Sequence, residues 1–326
     1  MMMMRRKMRA VPVVVVMVVA TVVALFAVVA VSAGSDNDGV PLKLLDSPLA
    51  KCMDGTPAGY YVRPGLGVNA TRFVINLEGG GECATKKACM SHLNSSLGSS
   101  NYFPKTRGSF GQYQDFDCGN NPLLCGWTMV YIPYCTQDLH SGNVTTPTAS
   151  TWGLYFTGAN VVRTVVEVLE RDYKFKDATD VILTGQSAGG IGIWYHLDWL
   201  AQRVPHATVV GAPIAGFYFP AYPYTGPNHT SSDLADFRPQ AWPGHYNLWN
   251  SVVDDSCRAH FKHEPWLCML SNVSYDFIST QVFVTEAQTD QGFSFLSAFS
   301  AWFTGNPALS LQDDCGVMCN PTCPSS

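Results

Sequence analysis

Ser187 lies in Gly185-Gln-Ser187-Ala-Gly189, a G-x-S-x-G pattern with glycines two residues before and two after the serine. Those are the places where a sharp strand-to-helix turn would crowd a side chain, and such a turn presents the hydroxyl for attack on an acyl carbon. The five-residue pattern arises by accident in about one chain in ten of this length, so its context decides. Val181-Ile-Leu-Thr184 leads in as a strand, and Ile191-Gly-Ile-Trp-Tyr-His-Leu-Asp-Trp-Leu200 leads out with a helix-compatible apolar pattern.

Acyl transfer also needs a base, an acid to orient it, and donors for the oxyanion. Gly79-Gly80-Gly81 follows the apolar strand Arg72-Phe-Val-Ile-Asn-Leu77, and side-chain-free residues let backbone amides approach an oxyanion closely. The amides of Gly80, Gly81 and Ala188 are the expected donors. The acid should project beyond a later strand, which points to Asp290, just past Gln281-Val-Phe-Val-Thr285, with Glu286, Asp313 and Asp314 as rivals. The base is missing from its expected place. In this fold class the order is serine, acid, histidine, yet all eight histidines precede Asp290. His196, on the helix after the elbow, reads as a packed or capping residue.

The elements that must position these groups alternate. A strand at 127–134, an amphipathic helix over 159–174, the elbow strand and helix, and a strand at 207–215 predict an α/β fold. The expected architecture is an α/β-hydrolase-like, mostly parallel sheet with helices on both faces. Residues 84–126 read as a long loop region with short helices. The stretch 217–277, dense in Pro, Tyr, Trp and His without a sustained period, reads as an irregular cap.

Several ordered segments together resemble one known family. Leu77-Glu-Gly-Gly-Gly81, Ile132-Pro-Tyr-Cys135, Gly185-Gln-Ser-Ala-Gly-Gly190, the 286–291 stretch and the opening Leu44-Leu-Asp-Ser-Pro-Leu-Ala-Lys-Cys-Met-Asp-Gly-Thr-Pro57 are similar to the pectin acetylesterase and Notum carboxylesterases. The resemblance implies Ser187 as nucleophile, Asp290 as acid, and Gly80, Gly81 and Ala188 as the oxyanion hole. It also implies a histidine three residues after a cysteine, a count that ends on Ser326 rather than on a histidine. The expectation is therefore a product truncated at its C-terminus, and the odd number of cysteines, 11, points the same way. His140, in a segment whose family counterpart lies near the pocket, reads as a solvated or structural histidine rather than as a substitute base. Gly81 takes the place of a bulky aromatic in the Notum branch, and an acidic Glu82 beside it at the pocket mouth would suit a long alkyl chain poorly. The Ile132-Pro-Tyr-Cys135 segment looks more like that branch.

With 326 residues, 47% of them hydrophobic and only 14% charged, the chain can bury a large core. A net charge of -5 with no basic run beyond the extreme N-terminus excludes a nucleic-acid partner, and no phosphate loop or dinucleotide fingerprint is present. No cofactor and no metal are expected; Cys315, Cys319 and Cys323 read as disulfide cysteines rather than metal ligands.

A basic patch, an apolar run from Ala10 to Ala33 and a small-residue end read as a signal peptide over 1–33, with a type II anchor as the alternative and the only expected membrane attachment. A spacer at 34–39 and an esterase domain over 40–326 follow. Cysteine-rich composition and five N-x-[ST] sequons, at Asn69, Asn94, Asn143, Asn228 and Asn272, predict a glycosylated, disulfide-bonded, secreted or lumenal protein. A local Cys83–Cys89 bridge is expected beside the glycine run.

The predicted activity is serine carboxylesterase, acting on acetyl groups of a pectin-like polysaccharide. The alternatives are removal of a fatty acyl group from a protein, and a non-catalytic binder lacking the triad histidine.

Overall fold

The structure is a computed structural model that describes residues 39–220, 236–286, 299 and 303–305. Five strands make the parallel body of the sheet: β3 (Arg72–Leu77), β5 (Thr128–Ile132), β6 (Asp180–Gln186), β7 (Thr208–Ile214) and β8 (Gln281–Val282). Three more extend it antiparallel: β1 (Val40–Leu44), β2 (Gly59–Arg63) and β4 (Thr106–Arg107). The order is β4-β1-β2-β5-β3-β6-β7-β8. The parallel strands read as near-continuous apolar runs because both faces are covered. In β3, Phe73, Ile75 and Leu77 enter one core and Val74 the opposite one.

Two long helices connect the parallel strands. The helix α2 (Gly158–Asp172) leads from β5 to β6, and α3 (Ala188–Arg203) leads from β6 to β7. The valines of α2 and the Ile193, Leu197 and Leu200 stripe of α3 share one core with Phe73, Ile75, Val181 and Leu183, so both helices cover the same face. The chain leaving β3 runs the other way, to β5. Its segment brings Tyr113, Leu124 and Trp127 against Val74, Ile182 and Ala212 on the second face, joined there by Phe299. The connections therefore diverge between β3 and β6, and the crevice at the carboxyl ends of those neighbouring strands is the topological switch point where α/β sheets bind ligands.

The predicted irregular regions resolve into short pieces. The helix α1 (Lys86–His92) follows the glycine run, and α4 (Trp242–Trp249), α5 (Asp255–His260) and α6 (Ser271–Ser274) form cap structure over the apolar face of α3 that carries Trp194 and Tyr195. Among the described residues, four disulfides join Cys52–Cys135, Cys83–Cys89, Cys118–Cys125 and Cys257–Cys268. Such bonds persist in oxidising compartments. Among the described residues, no helix is long and apolar enough to cross a membrane. The N-terminal apolar run, Asn228, Asp290 and the cysteines at 315, 319 and 323 lie outside the described residues.

Candidate active site

β6 ends at Gln186, and the chain turns at Ser187 with φ 55° and ψ -120° before α3 begins. A non-glycine residue in that region stores about 1–3 kcal/mol of strain and persists only where its surroundings fix it. The Ser187 N–H donates to Ile214 O at 2.9 Å, and Ser187 O accepts from the Ile191 N–H at 2.9 Å, so the turn is bonded to β7 on one side and starts the helix on the other. The flanking glycines are sterically required. A Cβ on Gly185 would come within 2.6 Å of the Gly189 carbonyl carbon, and one on Gly189 within 1.9 Å of Leu77 O. The elbow is thus pressed against the end of β3, and Ser187 stays half-exposed.

The glycine run leaves β3 against the same turn. A Cβ on Gly79 would stand 2.3 Å from Gln186 O and 3.2 Å from Ser187 Cβ. Gly80 and Gly81 have φ of 153° and 75°, conformations open to glycine. Among the described residues, nothing accepts from the Gly80, Gly81 or Ala188 amides. The Ala188 N–H stands at the N-terminus of α3, whose dipole adds positive potential beside Ser187.

The loop after β5 carries the carbonyls of this run. His140 is buried, its Nε2–H donating to Glu78 O at 2.8 Å while its ring stacks on Tyr134. Burial lowers its pKa to about 4. His196 Nε2 in turn donates to His140 O at 2.7 Å, and burial lowers its pKa to about 3. Both are neutral structural donors: His196 is packed and His140 is buried rather than solvated. Among the described residues, no histidine lines the crevice at Ser187.

That crevice holds about 420 Å³ and is walled by Asn76, Glu78, Gly80, Phe110, Tyr131 and Ser187. Its polar wall is an ion-paired cluster. Arg107 donates to Glu78 Oε1 at 3.1 Å and lies over the Tyr131 ring at 4.1 Å, while Glu78 Oε2 accepts from the Tyr134 N–H at 2.9 Å. Burial, then the Glu78 charge, holds the Tyr131 hydroxyl far above its ordinary range, so it enters the crevice as a neutral phenol. Sequence reasoning missed Arg107, because nothing local links it to Glu78 across 29 residues.

Glu82 departs from its expected place. It is buried rather than at the mouth: Oε1 accepts from the Asp236 N–H at 2.7 Å and lies 4.0 Å from His245 Nε2. Burial raises its pKa to about 7. The turn at Gly80 and Gly81 carries the chain away from the crevice, so Glu82 gives no argument about acyl length. Of the rivals for the acid, Glu286 follows the residue that pairs with Ile214, but it accepts from the Phe217 N–H and is held as a backbone anchor. Asp290, four residues on, and Asp313 and Asp314 lie outside the described residues.

The Pectinacetylesterase family model matches residues 33–296. Among relatives, palmitoleoyl-protein carboxylesterase notum2 of Xenopus laevis is 30% identical over 78% of this chain and 52% of its own length. Human palmitoleoyl-protein carboxylesterase NOTUM is 31% identical over 85% of this chain and 55% of its own. Pectin acetylesterase 5 of Arabidopsis thaliana is 31% identical over 78% of this chain and 58% of its own. The chain spans about half the length of the curated relatives it matches. The crystal structure of the Wnt deacylase Notum from Drosophila superposes with a TM-score of 0.66 at 25% identity, covering 83% of this chain and 80% of that one. An elbow serine beside a glycine run at the switch point of a mostly parallel sheet, together with this match over most of its length, makes the chain a member of the pectinacetylesterase family.

Proposed function

We propose that this protein is a serine carboxylesterase that removes a short O-acyl group from a carbohydrate acceptor in an oxidising, secretory or extracellular compartment. The observation that carries the reaction class is the strained Ser187 pressed against a glycine run whose amides have no acceptor among the described residues. Ser187 Oγ attacks the acyl carbon as its proton passes to a general base, which Asp290 is proposed to orient; the carbonyl oxygen takes the negative charge, and the Gly80, Gly81 and Ala188 amides receive it. Collapse expels the alcohol, which leaves with that proton, and the resulting acyl-enzyme is resolved by water to the acid and free Ser187.

The preference for a short acyl group rests on the wall beside Ser187. Asn76, Glu78, Tyr131 and Gln186 line it, and the Glu78–Arg107 pair lies next to it. A long alkyl chain would strip water from these groups without pairing them. Hydrolysis of p-nitrophenyl acetate and octanoate by the full chain and by Ser187→Ala tests both parts. Acetate turnover that Ser187→Ala abolishes supports the reading. Turnover retained in Ser187→Ala refutes the nucleophile, and preference for octanoate moves the substrate to the fatty-acyl class named for the Notum relatives.

A further inference from the structure

Gln137 is buried in a cramped turn. It has φ of 51°, with Leu139 at 56° and His140 at 58°, so three residues within four occupy the left-handed region that non-glycine residues avoid. The turn is fixed by Asp138, whose carboxylate accepts from Thr136 Oγ1 at 2.7 Å and from the Gly158 N–H at 2.8 Å, and by the Cys52–Cys135 disulfide. Three side chains from this loop donate to three carbonyls of the glycine segment. His140 Nε2 serves Glu78 O at 2.8 Å, Gln137 Nε2 serves Gly80 O at 3.0 Å, and the Tyr134 hydroxyl serves Gly81 O at 3.1 Å.

A trans peptide unit is planar, with its C=O and N–H pointing in opposite directions. Holding the Gly80 carbonyl therefore aims the Gly81 N–H away from Gln137. Glycine is the residue least able to hold that direction itself, because its backbone has the widest conformational freedom.

We infer that Gln137 is a positioning residue for the oxyanion: its side-chain amide sets the direction of the Gly81 donor. The inference rests on the esterase reading of Ser187 and the glycine run. Gln137 is suited to this and to little else, since it is fully buried and its Oε1 has no partner among the described residues. The backbone carbonyl of Gln137 also accepts from the Cys83 N–H at 3.0 Å, so the same residue holds both ends of the stretch from Gly80 to Cys83.

The test pairs turnover with a probe of the tetrahedral state. A methylboronate adds to Ser187 Oγ as its proton passes to buffer, leaving a tetrahedral anionic boron with one oxygen in the oxyanion position. Its affinity thus reads the donors without a catalytic base. Full-length wild type, Gln137→Met, Gln137→Glu and Ser187→Ala are compared in boronate affinity, p-nitrophenyl acetate kinetics and thermal midpoint. Loss of one oxyanion donor costs about 100- to 1,000-fold in kcat, and a misdirected donor a part of that. Gln137→Met should weaken boronate binding about 10- to 100-fold and lower kcat alike, with KM within about twofold. Gln137→Glu should be worse at neutral pH and should recover relative to wild type as pH falls, because only a protonated carboxyl can donate to Gly80 O.

Boronate affinity in Gln137→Met equal to wild type overturns the positioning role alone. Wild type that binds the boronate no better than Ser187→Ala overturns the nucleophile reading and the positioning role with it. A variant whose losses follow its thermal midpoint, with no recovery at low pH in Gln137→Glu, marks a structural role and overturns the inference.

Discussion

The closest approach at the elbow sets a steep expectation for Gly189→Ala. The added Cβ would lie 1.9 Å from Leu77 O, 2.7 Å from the Leu77 carbonyl carbon and 3.0 Å from Glu78 O, all backbone atoms at the end of β3. Side chains can rotate out of such contacts, but a strand paired on both sides cannot, and β3 is paired with β5 and β6 through Leu77. The first turn of α3 must therefore retreat by about 1.5 Å to reach an ordinary contact, taking the Ala188 amide with it. Overpacking of this kind costs about 1–3 kcal/mol. For a domain of this size that lowers the thermal midpoint by about 2–5 °C. A displacement of about 1 Å at a reacting group costs on the order of 100-fold in rate. Gly192→Ala is the matched control. Its Cβ would meet the His140 Cβ at 3.0 Å and the Leu77 Cδ1 at 3.2 Å, so relief there needs only a few tenths of an ångström. Thermal denaturation and p-nitrophenyl acetate kcat/KM of the two variants check the argument. A Gly189→Ala protein that melts and turns over like Gly192→Ala would refute the claim that α3 is pressed against β3.

Two further outcomes are expected. Glycopeptide mass spectrometry of protein from a secretory host should find glycan at Asn94, Asn143 and Asn272, which are exposed. Asn69 should be unoccupied, because its Nδ2 packs where a Gly126 Cβ would stand, 2.7 Å away; full occupancy there would contradict the packing. His196→Gln keeps a donor for His140 O but removes a group whose pKa burial lowers from 6.5 to about 3. The unfolded chain binds that proton first, so the wild-type contribution is complete above pH 6.5 and is lost as pH falls toward 3. In urea titrations between about pH 4 and 6 the variant's stability should fall less steeply, by up to about 1.4 kcal/mol per pH unit, and an unchanged slope would rule out the neutral buried imidazole.

The central sheet is legible in the sequence because its strands are buried on both faces: the apolar run Arg72-Phe-Val-Ile-Asn-Leu77 is β3 end to end, and 181–184 lies within β6. The antiparallel extension is not. Val40-Pro-Leu-Lys-Leu44 is a short strand one place in from the sheet's β4 edge, with an early proline and mostly exposed side chains, and Gly59-Tyr-Tyr-Val-Arg63 opens on a glycine, so neither carries a periodic signal. At the site, the elbow and glycine run announce themselves because steric demand leaves glycine at fixed offsets. The donors behind the run leave no such mark, since Gln137 reaches Gly80 across 57 residues and only the folded chain makes them neighbours. Glu82 shows the reverse error, in which adjacency to Gly81 was read as adjacency to the crevice.

The Cys52–Cys135 bond closes a span of 83 residues that ends before β6 begins. Synthesis runs from the N-terminus, and early segments can organise first. The span from Cys52 through β3 and the glycine run to Cys135 can thus be closed covalently while Ser187 and Ala188 are still to emerge. The elbow then arrives at a glycine run whose path is already tethered at both ends, and β6 completes the pairing of β3 from the other side.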